Sequence, residues 1–472
     1  MKMKKMLSLL CLCSFALTSC QTGMNNTEHF SAEEAADNKP DSSTDSVPTT
    51  SKIEEQPVNI VKSDCKRGAI LDCNSNVIIS SKDSANGNAF RIMNEQYDEA
   101  FAPIISDYSN GLDKAFESIT RTQNPTPANY ENDIGQSIRL TIDANIQNNI
   151  YHSLSEIGMI GAVVVMDTDS RIIAEVSLPS YSYNSIINGE NVDLSSGNAN
   201  NRCIQPYAPG STMKIISGCL CSMHNINTLT DHSYWEKIQN WDYTGNVYDV
   251  QRTLTDALVF SSNVYFAQAA DIIGQEPFEN ELSQYFSLSD DIMISCDFGQ
   301  LQNSVSINGT DQLRRSSFGQ GNIRLSPIYL AMATREVMFG DMLKAQVLDA
   351  VVDTTDYSKI IENGIEKEVI ASVPEEYTQT VQSAMREIGT SLPLSLPKGY
   401  TLYAKTGTAE TSGEDLLYIT GYVSEDTDPD NGYIVVLRVQ NPSELGFTYA
   451  KDISPLYEKI LRQLISYPTT EQ

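Results

Sequence analysis

Strand-like segments stand at both ends of a long stretch whose middle reads as helix, and this limits the folds open to the chain. Near the start, Ile138-Arg-Leu-Thr-Ile142 alternates in the manner of a strand. Asp143 is placed to cap a helix running through Gln147, Ile150 and Leu154. Gly161–Met166 and Arg171–Ser177 follow as two strands joined by the polar turn Asp167–Ser170, a hairpin. From Ser211 to about Arg335 the pattern is mostly helical. Strands return at Tyr400–Ala404, Leu416–Val423 and Tyr433–Val439, and an amphipathic helix from Ser454 to Ser466 closes the chain. One sheet built from both ends of the stretch, with the middle packed against it, is the expected solution, and the fold class is α+β.

The 472 residues allow two or three domains, and 40% hydrophobic with 20% charged residues allows a sizeable core. The net charge of −29 argues against nucleic acid as a partner, because phosphate binding needs a basic face. Solubility is its plain reading. The four histidines (His29, His152, His224, His232) form no HExxH pair, and no two of the nine cysteines make a CxxC, so no metal site is expected. Cys219 and Cys221 sit two apart on a predicted helix, where side chains diverge, and read as buried small hydrophobes. Cys65 and Cys73 are near enough in sequence to pair, or to remain free thiols.

Residues 1–20 read as an address. Lys2, Lys4 and Lys5 precede a short apolar run, Met6–Leu17, and then Leu17-Thr-Ser-Cys20, which resembles a bacterial lipobox. The run is too short for a comfortable bilayer span. Cys20 is therefore the expected lipidation site, anchoring the protein to the outer face of a cell membrane; an ordinary signal or uncleaved N-terminal anchor is the alternative. Residues 21–60 are polar and acidic, nearly lack aromatics, and read as a disordered tether. A small α+β module is expected over 61–136. Within it Arg67–Ile79 reads as strand, turn (Asp72–Asn76) and strand, and Tyr108–Phe116 as a turn into a short helix. The large domain is expected over 137–467.

Three short strips in the large domain carry chemistry. In Tyr207-Ala-Pro-Gly-Ser211-Thr-Met-Lys214, Pro209-Gly210 breaks the incoming chain and a helix-compatible run follows. Ser211 thus falls at a helix N-terminus, with Lys214 three residues on along the same face. A hydroxyl, an amine and the positive end of a helix dipole then meet in one turn, as an activated nucleophile requires. The second strip is Ser261-Ser-Asn263, within Thr253–Gly274. The third is Lys405-Thr-Gly-Thr-Ala-Glu410, expected at the end of a strand, where Gly407 lets a ligand approach the backbone. Each motif alone is weak: Ser63-Asp-Cys-Lys66 repeats the first spacing, and Ser196-Gly-Asn198 and Ser306-Ile-Asn308 the second. Order and context select the set.

With these strips, the sequence resembles a class B penicillin-binding protein, a monofunctional peptidoglycan transpeptidase. Pro209-Gly-Ser-Thr-Met-Lys214 is similar to the family's PGSTFK, Ser261-Ser-Asn263 to SxN, and Lys405–Glu410 to KTGTAE. The likeness extends to Leu140-Thr-Ile-Asp143, Leu178-Pro-Ser-Tyr181, Phe318-Gly-Gln-Gly321 with Ser326-Pro327, Arg67–Asn74 and Gly111-Leu-Asp-Lys-Ala115. It covers roughly Val61 to Ser466. Cys73, Ser75 and Tyr418 depart from the family's usual arginine, glycine and tryptophan.

The resemblance implies a β-lactamase/transpeptidase-like domain, an antiparallel sheet flanked by helices. It also implies roles. Ser211 attacks the carbonyl between two terminal D-alanines of a peptidoglycan stem peptide, and Lys214 takes its proton. The helix N-terminus and nearby Lys405 keep that amine neutral. Ser261 and Lys405 pass the proton to the leaving amine. Asn263 holds a substrate amide, Thr406 and Thr408 bind the terminal carboxylate beside Gly407, and the N–H groups of Ser211 and Thr408 form an oxyanion hole. No cofactor enters. β-Lactams are expected to acylate Ser211. With no glycosyltransferase-sized region upstream, a separate glycan-strand polymerase or other wall-building protein is an expected partner. A β-lactam-binding sensor, a D,D-carboxypeptidase or a β-lactamase are the alternatives on the same fold. The asparagine at 263, the small N-terminal module and the lack of an evident deacylating carboxylate favour the transpeptidase.

Overall fold

A computed structural model describes residues 66–83, 89–105, 111–121, 134–192, 194, 197, 199–231, 250–289, 294–296, 299–301, 303–410 and 415–465. Cys20, the tether over 21–60, Cys65, His29 and His232 lie outside the described residues.

The sheet expected from both ends of the large domain is present. Its strands are β5 (Ile160–Asp167), β6 (Ile172–Leu178), β9 (Tyr400–Glu410), β10 (Asp415–Glu425) and β11 (Asp428–Gln440), in the order β9-β10-β11-β5-β6 and antiparallel throughout. Val163–Val165 and Ile434–Leu437 are fully buried. These strands are apolar without alternation because helices cover both faces of the sheet. On one face the C-terminal helix Ser454–Leu461 sends the Tyr457 hydroxyl to donate to the Val435 carbonyl at 3.1 Å. On the other, the helix Pro327–Phe339 places Thr334 2.6 Å from the Thr420 hydroxyl of β10. Asp143 caps the helix Ala144–Ser155 by accepting from the N–H groups of Asn145 and Ile146. From that helix Gln147 donates to the carbonyls of Ala100 and Glu175 and accepts from the Glu175 N–H, tying the helix Asp98–Ile105 to β6.

A second sheet has six strands. It holds β1 (Ile70–Leu71), β2 (Val77–Asp83), β3 (Ala89–Met93), β4 (Ser137–Leu140), β7 (Leu348–Val352) and β8 (Ile360–Asn363), in the order β8-β7-β4-β1-β2-β3. β1 runs parallel to β4, with Ile70 opposite Ile138. The N-terminal strands thus share a sheet with strands from beyond residue 137. β1 is only two residues long and fully buried, so its backbone needs a neighbour on each side, and β4 supplies one of them.

Two of the short strips outside the site acquire a structural reason here. Asp113 accepts from Arg67 Nη1 and Arg91 Nη2, each at 2.8 Å, with all three side chains at most 10% exposed. The carboxylate pins the helix Leu112–Ala115 to the start of β1. Asp72 accepts from the N–H groups of Asn74 and Asn76 at 2.9 and 2.7 Å, which builds the expected turn. Cys219 and Cys221 are buried free thiols, Cys203 is another, and Cys73 is an exposed free thiol.

Candidate active site

The turn that carries Ser211 is a 3₁₀ turn, Gly210–Met213, running straight into the helix Lys214–Met223. In 3₁₀ geometry residues three apart eclipse, so Ser211 and Lys214 stack on one side. Lys214 is fully buried, and its Nζ stands 3.0 Å from Ser211 Oγ.

Ser261 stands between two helices, Leu254–Val259 and Asn263–Ile273. The first ends in a Schellman motif: the Ser262 N–H donates to the Ala257 carbonyl and the Ser261 N–H to the Leu258 carbonyl. Ser261 occupies the left-handed position of that motif, with φ of +55°, where glycine is usual. Ser262 then caps the second helix by accepting from the Tyr265 N–H. The strip is therefore a junction between two helix ends, and the strained backbone turns the Ser261 carbonyl and hydroxyl toward Lys214. Lys214 Nζ donates to the Ser261 carbonyl at 2.7 Å and to Asn263 Oδ1 at 2.6 Å, and lies 3.2 Å from Ser261 Oγ.

These contacts define what Lys214 can do. The Ser261 carbonyl and Asn263 Oδ1 only accept, so they engage two N–H bonds in either protonation state. The hydroxyls of Ser211 and Ser261 occupy the remaining direction. A neutral amine there holds its lone pair against the Ser211 O–H; an ammonium donates to it. In this position the amine can take the Ser211 proton and hand it on.

Lys405 completes the set. It is 1% exposed, and its Nζ donates to the Thr406 carbonyl at 3.0 Å and reaches Ser261 Oγ at 3.2 Å. The Ser261 hydroxyl thus bridges two lysines. Burial alone pushes the Lys405 ammonium down to about 7.

The third strip lies at the end of a strand, as expected, but the strand does not stop at Ala404: β9 runs through the strip to Glu410 and pairs with β10 over its whole length. β9 is an edge strand. Asp415, opposite Glu410, turns its carbonyl to accept from the Asn441 N–H on the far side, so that pair exchanges no hydrogen bonds. By alternation, Thr406, Thr408 and Glu410 all aim their N–H and C=O groups off the open edge of the sheet. The Thr408 N–H therefore faces the Ser211 turn. Thr406 is half-buried and Thr408 exposed.

Gly407 has a different reason for being glycine than a ligand. A Cβ there would lie 2.8 Å from Thr212 Cγ2, 3.0 Å from the Thr212 nitrogen and 3.1 Å from the Pro209 oxygen. The turn that carries Ser211 itself fills that space. Gly210, at φ +55°, packs on the same strand, where a Cβ would meet the Thr408 oxygen at 2.3 Å. The structure brings together Ser211, Lys214, Ser261, Asn263 and Lys405, and sets Thr406, Gly407 and Thr408 along the adjoining edge. Sequence reasoning assigned no contact to the Phe318-Gly-Gln-Gly321 segment, which lies against both. The Gly210 N–H donates to the Gly319 carbonyl at 2.9 Å, and Gly319, at φ +84°, has no room for a side chain beside the Gly210 oxygen. Its signal was two glycines around one glutamine. Among the described residues no group of three or more His, Cys, Asp or Glu side chains is placed to hold a metal ion.

Comparison with known proteins gives this geometry a family. Residues 161–462 match the family model described as the penicillin binding protein transpeptidase domain. Penicillin-binding protein 3 of Bacillus subtilis (strain 168) is 28% identical over 341 residues, 66% of this chain and 49% of that protein. Peptidoglycan D,D-transpeptidase MrdA of Haemophilus influenzae is 31% identical over 170 residues, 32% of this chain and 25% of that one. The chain spans about half the length of the first relative. Among solved structures, an imipenem acyl-enzyme complex of penicillin-binding protein A from M. tuberculosis superposes with a TM-score of 0.72 at 19% identity, covering 85% of this chain and 99% of that one. That likeness speaks for the fold. The match spans every residue of the three strips, and the chain belongs to the penicillin-binding protein transpeptidase family.

Proposed function

We propose that the protein is a class B penicillin-binding D,D-transpeptidase that cross-links peptidoglycan stem peptides through an acyl-enzyme on Ser211. One observation carries this most directly: a buried lysine nitrogen lies within 3.2 Å of Ser211 Oγ, Ser261 Oγ and Asn263 Oδ1 at once. In the proposed reaction Ser211 Oγ bonds to the carbonyl carbon of the penultimate D-alanine, and its proton moves to the Lys214 lone pair. The N–H groups of Ser211 and Thr408 hold the oxyanion. Collapse breaks the C–N bond. The leaving D-alanine amine takes a proton relayed through Ser261 Oγ, with Lys405 stabilising the hydroxyl as it does so. The amine of a second stem peptide then attacks the ester carbon and loses a proton to Lys214, which passes it to Ser211 Oγ as the C–O bond breaks. Asn263 Oδ1 is engaged by Lys214, which leaves its Nδ2 for a substrate carbonyl. Thr406 and Thr408 receive the terminal carboxylate.

The proposal includes the address. Lipidation of Cys20 holds the domain at the extracytoplasmic face, and a glycan-strand polymerase supplies the strands. Support comes from the lipobox-like Leu17–Cys20; Cys20→Ala should release the protein or leave it unprocessed.

The first experiment labels the purified protein with a fluorescent penicillin beside Ser211→Ala and Lys214→Ala. Label that stays on the wild type for hours and is absent from Ser211→Ala is the expected result. Rapid loss of label with hydrolysed drug would replace the reading with a β-lactamase. Wild type that neither takes label nor turns over a D-Ala-D-Ala thioester would refute it.

A further inference from the structure

The open edge of β9 is closed in one place by a side chain from another segment. The Gln320 carboxamide faces the backbone N–H and C=O of Glu410. In the orientation that satisfies both groups, its nitrogen donates to the Glu410 carbonyl at 3.2 Å and its oxygen accepts from the Glu410 N–H at 3.3 Å. This is the pairing a neighbouring strand would make, supplied by a side chain. Glu410 is the next outward-facing residue after Thr408 on the same edge.

Gln320 is itself anchored. Its N–H donates to the Arg315 carbonyl at 2.9 Å, at the end of the helix Thr310–Ser317. The residue before it, Gly319, accepts from the Gly210 N–H at 2.9 Å, and a Cβ at Gly319 would fall 1.8 Å from the Gly210 oxygen. Two adjacent residues therefore grip the two elements that must meet. Gly319 seats the backbone immediately before Ser211, and Gln320 holds β9 two residues past Thr408. The proposed oxyanion hole is made of one N–H from each element.

We infer that Gln320 is a positioning residue that sets the spacing between the Ser211 and Thr408 N–H groups by clamping the edge of β9 to the nucleophile turn. The inference rests on the proposed function for its chemistry, though the clamp itself is a matter of backbone geometry. It also limits the acyl donor. A substrate strand laid along β9 can pair at Thr406 and Thr408 but finds Glu410 taken, so recognition by edge pairing stops there.

The test uses Gln320→Ala and Gln320→Glu in the full chain, with rates normalised to titrated active sites. A misplaced oxyanion donor costs on the order of tenfold to a hundredfold in rate. Gln320→Ala should lose about that factor in the acylation rate constant and the same factor in affinity for a boronic acid that forms a tetrahedral adduct on Ser211. The initial non-covalent drug affinity should hold. A residue that only supports the fold would lower the fraction of active sites and leave the rate per site unchanged. Gln320→Glu keeps the acceptor and loses the donor when ionised. Its rate relative to wild type should recover as pH falls through the ordinary glutamate range near 4.3. Hydrogen exchange gives an arm that needs no chemistry: the Glu410 N–H should exchange faster in Gln320→Ala. Unchanged acylation per site, or a rate loss without the matching boronate loss, overturns the inference. Faster Glu410 exchange in a protein whose wild type is never acylated would leave the clamp standing and sink the function.

Discussion

Replacing Lys405 by methionine should make the protein more stable at neutral pH while abolishing acylation. The Lys405 ammonium is 1% exposed and, among the described residues, meets the Thr406 carbonyl and the Ser261 hydroxyl. Burial lowers its pKa from 10.5 to about 7. The unfolded chain therefore binds a proton that the folded one releases between these values. Stability rises with pH across that window, and the penalty of the buried charge is fully present below pH 7. At about 1.4 kcal/mol per pH unit, the shift amounts to roughly 4 kcal/mol at pH 7 and under about 1 at pH 10. Methionine has similar length and carries no charge, but it leaves the two oxygens without this donor, which costs about 1–3 kcal/mol at every pH. The variant should be more stable than wild type by about 1–3 kcal/mol at pH 7 and less stable at pH 10. Urea denaturation of both proteins at the two pH values, read by linear extrapolation, measures the difference. A stability gap that is the same at pH 7 and pH 10 would refute the argument, since the pH-dependent part can come only from an amine that titrates in this window.

Gly407→Ala should cost about 1–3 kcal/mol of stability by overpacking and about tenfold to a hundredfold in acylation, because its Cβ meets the short β-branched side chain of Thr212 at 2.8 Å and the backbone of the same turn at 3.0 and 3.1 Å; thermal melts and labelling rates check this, and a wild-type rate would remove the case for a close-packed turn. Asp113→Ala should destabilise by about 3–5 kcal/mol, since it strands the buried guanidiniums of Arg67 and Arg91 together. Chemical denaturation reads it, and adding Arg91→Met should recover part of the loss.

Much of this was legible in the residues. The five-stranded sheet followed from strand-like runs at both ends of 137–467, and Asp143 announced its helix by its own type. The strips of the site were found by order and context, with hydroxyl and amine at a spacing that stacks them. Three things were hidden because they depend on contacts between distant segments. Whether β9 stops at Ala404 or runs to Glu410 is settled by its partner β10, since Lys-Thr-Gly-Thr has no strong preference of its own. That Gly407 is kept small by Thr212 appears only when the turn is docked. Gln320 was visible only as part of a Gly-Gln-Gly segment, and its contact with Glu410 was not, because a half-buried glutamine between two glycines reads as a loop. Ser261 misled in a subtler way. Nothing in Phe-Ser-Ser-Asn marks a left-handed residue, and the Schellman motif that enforces it is made by the helix before it.

The six-stranded sheet bears on the order in which the chain is made. β1, β2 and β3 are complete early in synthesis, but β7 and β8 complete their sheet from far downstream. Arg139 of β4 ion-pairs with Asp349 of β7, and the two are separated by 210 positions. At about 5–20 residues per second, β4 waits on the order of ten to forty seconds for its neighbour. Throughout that wait Ile138 and Leu140, fully buried in the finished protein, border an unpaired strand edge. The chain is therefore most exposed to misassociation while it is being made, and a holdase that binds extended apolar strands would have its best target there, before the three strips have met.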